Sequence, residues 1–272
     1  MPDFREELLP EFYFQSNPLR HFPELIRWGR PVWETLDGIR PALTGFFAGF
    51  DEQAALPSAF DLWVRPTPDG GSETVLFART GYVFDRDICC PNLGFYFARN
   101  VIVEPTAIIK APAYIGPGTE IRQGAYLRGD VITGSRCTIG HTTEMKSSIF
   151  LDHTEAGHFA YIGDSVIGSC VNLGAGTKLA NLPFRTFEDK RDVRFADMVV
   201  STPDGEFSTG RAKIGACLGD GVEVGCNATI APAAFIGRDT WIYPCLSIPR
   251  GFYPARSILK HPGRPTILPK RD

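Results

Sequence analysis

The 272-residue sequence predicts an all-β chain, a left-handed parallel β-helix of hexapeptide repeats with a small α+β cap at its N-terminal side. Three observations carry this expectation. An aliphatic residue recurs every six positions at Val103, Ile109, Ile115, Ile121 and Leu127, at Ile139, Met145 and Leu151, at Ile167, Leu173 and Leu179, and from Leu218 through Val224, Ile230, Ile236 and Ile242 to Ile248. A glycine or another small or polar residue often follows, as in Ile115-Gly116, Ile139-Gly140, Ile167-Gly168 and Ile236-Gly237. The 28 glycines and 22 prolines point to many tight turns and therefore many short strands.

A period of six fits neither the 3.6 of a helix nor the 2 of an ordinary strand. It fits one short strand plus one turn, three of which make a triangular coil of about 18 residues. The aliphatic side chains point inward and stack from coil to coil. Thr133 breaks the first run. Between Leu151 and Ile167 the pattern slips by two residues, read most simply as two five-residue steps through Gly157 and Ile162.

The solenoid is expected over residues 101–258, interrupted by a long charged segment at 182–213 that reads as a functional arm. Residues 1–100 do not repeat. Leu25, Trp28, Val32, Leu36 and Ile39 recur at roughly helical spacing, and Pro31 limits that stretch to two short helices or a kinked one. Residues 57–98 read as a few strands that cover the first coil. The Pro-rich basic tail, 259–272, is expected to lie over the last coil.

A net charge of −3 gives no sign of a nucleic-acid or polybasic membrane partner. The N-terminus carries no basic region followed by an apolar run, so no signal peptide is expected, and the stretch from Ala42 to Phe50 is too short to span a bilayer. Seven scattered cysteines with no CxxC spacing suggest reduced thiols in a cytoplasmic protein.

Coil arithmetic then places side chains. Arg128 and Lys146 are 18 residues apart, so they stack on one face. Two neighbouring cations repel unless an anion lies between them, which suggests a bound phosphate or carboxylate; the plainer alternative is two solvated surface charges. His158 sits where the repeat slips and is a natural general base, although a hydrogen-bonded structural histidine fits the spacing equally well. His153 and His158 form an H-x4-H pair with His141 nearby, so a metal site has to be weighed.

Leu127-Arg128, Glu144-Met145-Lys146, Ala156-Gly157-His158, Tyr161-Ile162-Gly163-Asp164 and Val171-Asn172-Leu173-Gly174-Ala175-Gly176-Thr177 are spaced without a gap up to Asn181. This string resembles the acetyltransferase half of the bifunctional N-acetylglucosamine-1-phosphate uridyltransferase/glucosamine-1-phosphate acetyltransferase family. With Ala180-Asn181-Leu182 and Thr209-Gly210-Arg211-Ala212-Lys213-Ile214-Gly215-Ala216 it looks most like archaeal-type sugar-1-phosphate nucleotidyltransferases that carry this tail. The resemblance covers about residues 100–250. It implies a homotrimer with sites between subunits and acetyl-CoA as co-substrate. It implies that Arg128 and Lys146 hold a sugar phosphate, that Tyr161 and Asn172 contact the sugar, and that His158 is the base, with Glu144 orienting it. Asn181 would lie near the thioester, Lys213 would bind substrate, and no metal is implied. Cys226 and Pro244 stand where the family usually has Ser and Ala facing CoA, so the proline narrows the cofactor groove.

The family's nucleotidyltransferase signature is absent from residues 1–100, so this chain by itself is not expected to make nucleotide sugars, and a separate nucleotidyltransferase is a candidate partner. Two other readings stay open. A γ-carbonic-anhydrase-like zinc enzyme would share the Arg128-Gly129-Asp130 run and the histidine pair, but it needs another histidine near 117, where a proline stands. A non-catalytic trimeric solenoid would bind a sugar nucleotide or a partner and would not need His158.

Overall fold

The computed structural model describes residues 5–68, 70–202 and 205–261. Within the repeat region each aliphatic position pairs with the one a coil away, and three nine-stranded sheets result. The chain is the left-handed parallel β-helix that the period of six predicts. The first face contains Ile108–Lys110, Tyr126–Arg128, Glu144–Lys146, Tyr161–Gly163, Lys178–Leu179, Thr229–Ile230 and Ser247–Ile248. The second contains Ala113–Ile115, Val131–Thr133, Ser148–Phe150, Val166–Ile167, Ala216–Leu218 and Ala234–Ile236. The third contains Glu120–Ile121, Thr138–His141, Glu155–His158, Asn172–Leu173, Glu223–Val224 and Trp241–Ile242. Ile109, Leu127, Met145, Ile162 and Leu179 are buried in one such ladder. Each buried aliphatic side chain contributes about 1.5–3 kcal/mol relative to exposure, so the ladders hold the stack together.

The slip in the repeat falls elsewhere than the sequence suggests. Phe150, not Leu151, is in register with Thr133 and Ile167, and Ala156, not Gly157, is in register with Ile139. From Thr133 to Lys178 neighbouring rungs are 17 residues apart rather than 18, as in Glu144 with Tyr161 and Tyr161 with Lys178. Thr133 itself is buried and accepts a hydrogen bond from the Gly116 N–H at 2.9 Å, so the irregular rung satisfies its polar group.

Corners turn in the left-handed backbone region, and many do so without glycine: Asp130, Ser147 and Asp164 (φ 54°, 45° and 47°) mark one edge, Thr142 and Phe159 (φ 49° and 52°) another. Such a conformation costs a non-glycine residue of the order of 1 kcal/mol. Hydrogen bonds between coils offset it, for example Ser147 N–H to Gly129 O at 3.0 Å and Phe159 N–H to His141 O at 2.9 Å.

The N-terminal region departs from the expectation in two ways. Residues 25–32 form no helix; the helix Glu34–Ala48 begins after Pro31 and contains Pro41. Residues 5–49 also do not cover an end. They lie along the second face, whose outward side chains are apolar. Tyr13 and Trp33 meet Phe235 (ring centroids 6.5 and 5.7 Å), while Phe22 and Phe46 meet Tyr114 (4.9 and 5.3 Å). The chain thus crosses the face three times, from Phe235 to Tyr114, back to Phe235 and again to Tyr114. The strands expected in 57–98 do cover the first coil: Phe60–Pro66 and Ser72–Ala78 form a hairpin whose second strand pairs antiparallel with Ile108–Lys110.

The segment 182–213 leaves the stack as an arm. It holds the short helix Phe187–Arg191 and the antiparallel pair Val199–Thr202 and Gly205–Ser208, and it is anchored by buried Met198 and Val200. The rung after Asn172 is Glu223, a step of 51 residues, and the register is unbroken across it. The expectation for the basic tail falls, from residue 262 on, outside the described residues. No helix among the described residues is long and apolar enough to cross a membrane.

Candidate functional site

The first face carries the cations. Arg128 pairs in register with Lys110, and the rung Leu127–Met145 brings Lys146 next in line. The sequence reading found two of these three rungs. It also expected the pair to need an outside anion, and the structure corrects that, because each cation has a carboxylate of its own. Lys110 contacts Glu73 of the hairpin at 2.7 Å, Arg128 contacts Glu144 at 2.7 Å, and Lys146 contacts Asp164 at 3.0 Å. The Lys110 hydrogen bond, with Arg65 adding to it, holds the Glu73 carboxyl below its usual range.

Asp164 is the hub of this edge. Its side chain is 5 % exposed. One oxygen, Oδ2, accepts from Lys146 Nζ and from Asn181 Nδ2 at 2.5 Å, while Oδ1 lies 3.7 Å from Arg211. Arg211, at the return of the arm, donates to Asp37 of the helix Glu34–Ala48. The arm's return is fastened by Ile214 N–H to Asn181 O (3.1 Å) and Gly215 N–H to Asp164 O (2.7 Å). Gly163, in register with Lys146, forms the floor, since a Cβ there would lie 2.8 Å from both the Tyr161 hydroxyl and the Asn181 amide. Tyr161 donates to Asn181 Oδ1 at 3.3 Å. Burial first, then the Glu144 and Asp164 carboxylates, push the Tyr161 phenol up, which keeps it a neutral donor.

Around the next corner lies the third face. His158 is exposed at the end of its strand, in register with His141. Backbone hydrogen bonds carry that corner onward: Gly176 N–H to His158 O, Asn227 N–H to Ala175 O and Cys245 N–H to Cys226 O. His158, Ala175, Cys226 and Pro244 therefore occupy one row, and His158, Cys226 and Pro244 are exposed. Asn172 is on the flat of the third face and donates to Glu223 Oε2 at 3.0 Å.

The sequence-derived residues thus fall into two groups on either side of a convex edge. Arg128, Glu144, Lys146, Tyr161 and Asn181 converge on the first face, and His158, Asn172, Cys226 and Pro244 on the third. Glu144 is engaged with Arg128, and no hydrogen bond joins it to His158. Lys213 is exposed in the arm, its ammonium 5.5 Å from the ring of Phe195, which Arg185 also covers at 4.2 Å. His153 lies five residues before His158, at the opposite end of the strand Glu155–His158, so the two imidazoles belong to different corners. The residues that sequence reasoning missed are Lys110, Asp164 and Asp37. Lys110 is 18 residues before Arg128 and in register with it, so coil spacing held that signal, whereas Gly163 and not Asp164 shares the rung of Lys146.

The chain is similar in sequence to several known proteins. A family model described as the GMPPB C-terminal domain matches residues 109–204. A bifunctional sugar-1-phosphate nucleotidylyltransferase/acetyltransferase of Sulfurisphaera tokodaii is 40 % identical over 150 residues, 53 % of this chain and 35 % of that protein. The solenoid is related to the acetyltransferase-like part of these bifunctional proteins. The bifunctional protein GlmU of Methanococcus aeolicus is 34 % identical over 156 residues, 53 % of this chain and 36 % of that protein, and GlmU of Thermodesulfovibrio yellowstonii is 33 % identical over 127 residues, 44 % and 28 %. The chain spans about a third of the length of the curated relatives it matches. Among solved structures, a variant of AntD, an N-acyltransferase from Bacillus cereus in complex with dTDP and coenzyme A, is 19 % identical, with a TM-score of 0.28 over 60 % of this chain and 74 % of that one.

Proposed function

We propose that the protein is an N-acyltransferase that moves an acetyl group from acetyl-CoA to the amine of an amino sugar 1-phosphate such as glucosamine 1-phosphate. The observation that carries the reading is the pairing of an exposed imidazole at one rim of the edge with a cation ladder at the other. In this reading His158 accepts the amine proton as the C–N bond forms and the CoA sulfur leaves as the thiol. A positioned base of this kind contributes about 10²–10⁴ in rate. Arg128 and Lys146 hold the phosphate, and Tyr161 and Asn172 contact the sugar. Asn181 lies near the thioester and CoA runs along the row of Cys226 and Pro244, with Lys213 as a further substrate contact. Glu144 enters as a phosphate-side residue through Arg128 rather than as the partner of His158.

A convex edge buries little of any ligand, whereas small-molecule sites are concave. A cleft arises when the edge of one solenoid faces the flat of another, which supports a homotrimer with three equal sites. A nucleotidyltransferase on a separate chain would then use the product. The second reading, a binding solenoid without turnover, is favoured by one observation: every cation of the ladder is already neutralised by its own carboxylate, and a scaffold needs no more than that.

Thiol release from acetyl-CoA in the presence of glucosamine 1-phosphate tests the choice. Turnover that falls at least a hundredfold in His158→Ala with sugar-phosphate binding retained supports catalysis. Sugar-phosphate binding with no thiol release by the wild-type chain moves the assignment to the binding solenoid.

A further inference from the structure

We propose that Arg211 is the counter-ion that takes over Asp164 when Lys146 turns to a ligand phosphate, and that Asp37 of the helix Glu34–Ala48 holds Arg211 in reserve. The inference rests on the sugar-phosphate reading of the site.

Asp164 is nearly inaccessible to water, and a buried carboxylate stripped of its cation is strongly disfavoured. Lys146 is its direct partner at 3.0 Å. A phosphate that recruits Lys146 alone would leave Asp164 with only the Asn181 amide, and the penalty would count against binding. Arg211 removes that obstacle. Its Nη2 lies 3.7 Å from Asp164 Oδ1, an ion-pair distance that is beyond a hydrogen bond. A movement of about 1 Å closes that gap to hydrogen-bond range. Arg211 is held back at Nη1, which donates to Asp37, and at Nε, which donates to Lys213 O at 3.3 Å. A guanidinium has donors enough to serve both carboxylates in turn.

The order of exposure gives the arrangement its direction. Asp37 is 49 % exposed, Arg211 19 % and Asp164 5 %. The charges alternate Asp37, Arg211, Asp164, Lys146, with the least exposed group at Asp164 and Lys146 21 % exposed beyond it. A shift of Arg211 inward leaves only Asp37 without its partner, and water solvates that carboxylate at little cost. The uncompensated charge appears at the surface and not in the interior. Two parts of the chain that do not belong to the regular coils, the helix over the second face and the return of the arm, thereby acquire a part in the site. Arg211 and Asp37 are positioning residues, acting through Asp164 and Lys146.

The hand-over demands opposite effects from two substitutions. Asp37→Asn releases Arg211 toward Asp164 and frees Lys146 in advance, so phosphate ligands bind about three- to tenfold more tightly. Arg211→Gln leaves Lys146 as the last cation on Asp164, so binding weakens by a similar factor, and Arg211→Lys restores part of it. Calorimetric titration of the full chain with glucosamine 1-phosphate, and with inorganic phosphate as a minimal probe, reads these shifts. Two substitutions that both weaken binding, or both leave it unchanged, overturn the proposal, because a purely structural contact behaves in that way. Should the wild-type chain bind neither probe, the sugar-phosphate reading fails, and the hand-over is judged without ligand by the rate at which an amine-reactive reagent labels Lys146. Labelling faster than wild type in Asp37→Asn and slower in Arg211→Gln upholds it, and equal rates in all three overturn it.

Discussion

Asp164 shows what a single buried carboxylate does on a surface of stacked cations. It joins Lys146, Asn181 and Arg211, three groups that are otherwise distant in sequence. Asp164→Ala is expected to leave two cations facing a cavity and to lower the unfolding free energy by about 3 kcal/mol, as is typical when one member of a buried pair is removed. Urea unfolding followed by circular dichroism measures this, and a loss below about 0.5 kcal/mol would show that water reaches the site freely. The aligned cations Arg128 and Lys146 were legible from an 18-residue spacing, but their neutralisation was not. The coil shortens to 17 at this point, so Gly163 takes the rung beside Lys146 and Asp164 turns the corner to reach back. Spacing tells which residues share a row. It does not tell which corner side chain folds over it. The sequence marks His158 as a candidate base but not its exposure, and Glu144, the partner that the resemblance offers it, is held by the guanidinium of Arg128 instead.

Among the elements, the ladders were read correctly wherever the period held, and the errors cluster where it failed. The aliphatic run ends in Phe150-Leu151, both fully buried, and no pattern distinguishes which of two adjacent apolar residues points inward. The helix shows a different limit. Leu25 is buried while Trp28 is 41 % exposed, so their helical spacing does not mark one packed face, and tertiary contacts override the local pattern. Pro31 lies ahead of the helix start and Pro41 is tolerated within the helix. The hairpin over the first coil is fastened by Glu73 to Lys110 and Arg65. Since the Glu73 carboxyl is lowered below 4.5 in the folded chain, its stabilising contribution is complete above that value and is lost as pH falls through the folded value. Hydrogen-exchange protection of Ser72–Ala78 is therefore expected to drop in acid more than that of the central coils, and Glu73→Gln is expected to remove the difference.

For the molecule as a whole, a stack of coils has contacts mainly between nearest neighbours, and the side that carries the site is convex. Sedimentation equilibrium is expected to give three times the 30.0 kDa of the chain. A monomeric mass would leave the edge without a facing wall and would set aside a site shared between subunits. The fold class was legible in the sequence, because it is adherence to one period. The packing of residues 5–49 along a side was not, because outward apolar residues such as Tyr114, Val166 and Phe235 are interleaved with the inward ladder and share its composition. The unbroken register across the 51-residue step from Asn172 to Glu223 has a consequence for descent. Related chains can gain or lose length between Asn181 and Lys213 in any increment without disturbing a single rung, whereas elsewhere in the stack a deletion of one residue alters which side chains line the core. Lineages that share this solenoid are therefore expected to differ in length chiefly at the arm, and the arm is where new specificities can be acquired while the rest of the molecule is kept.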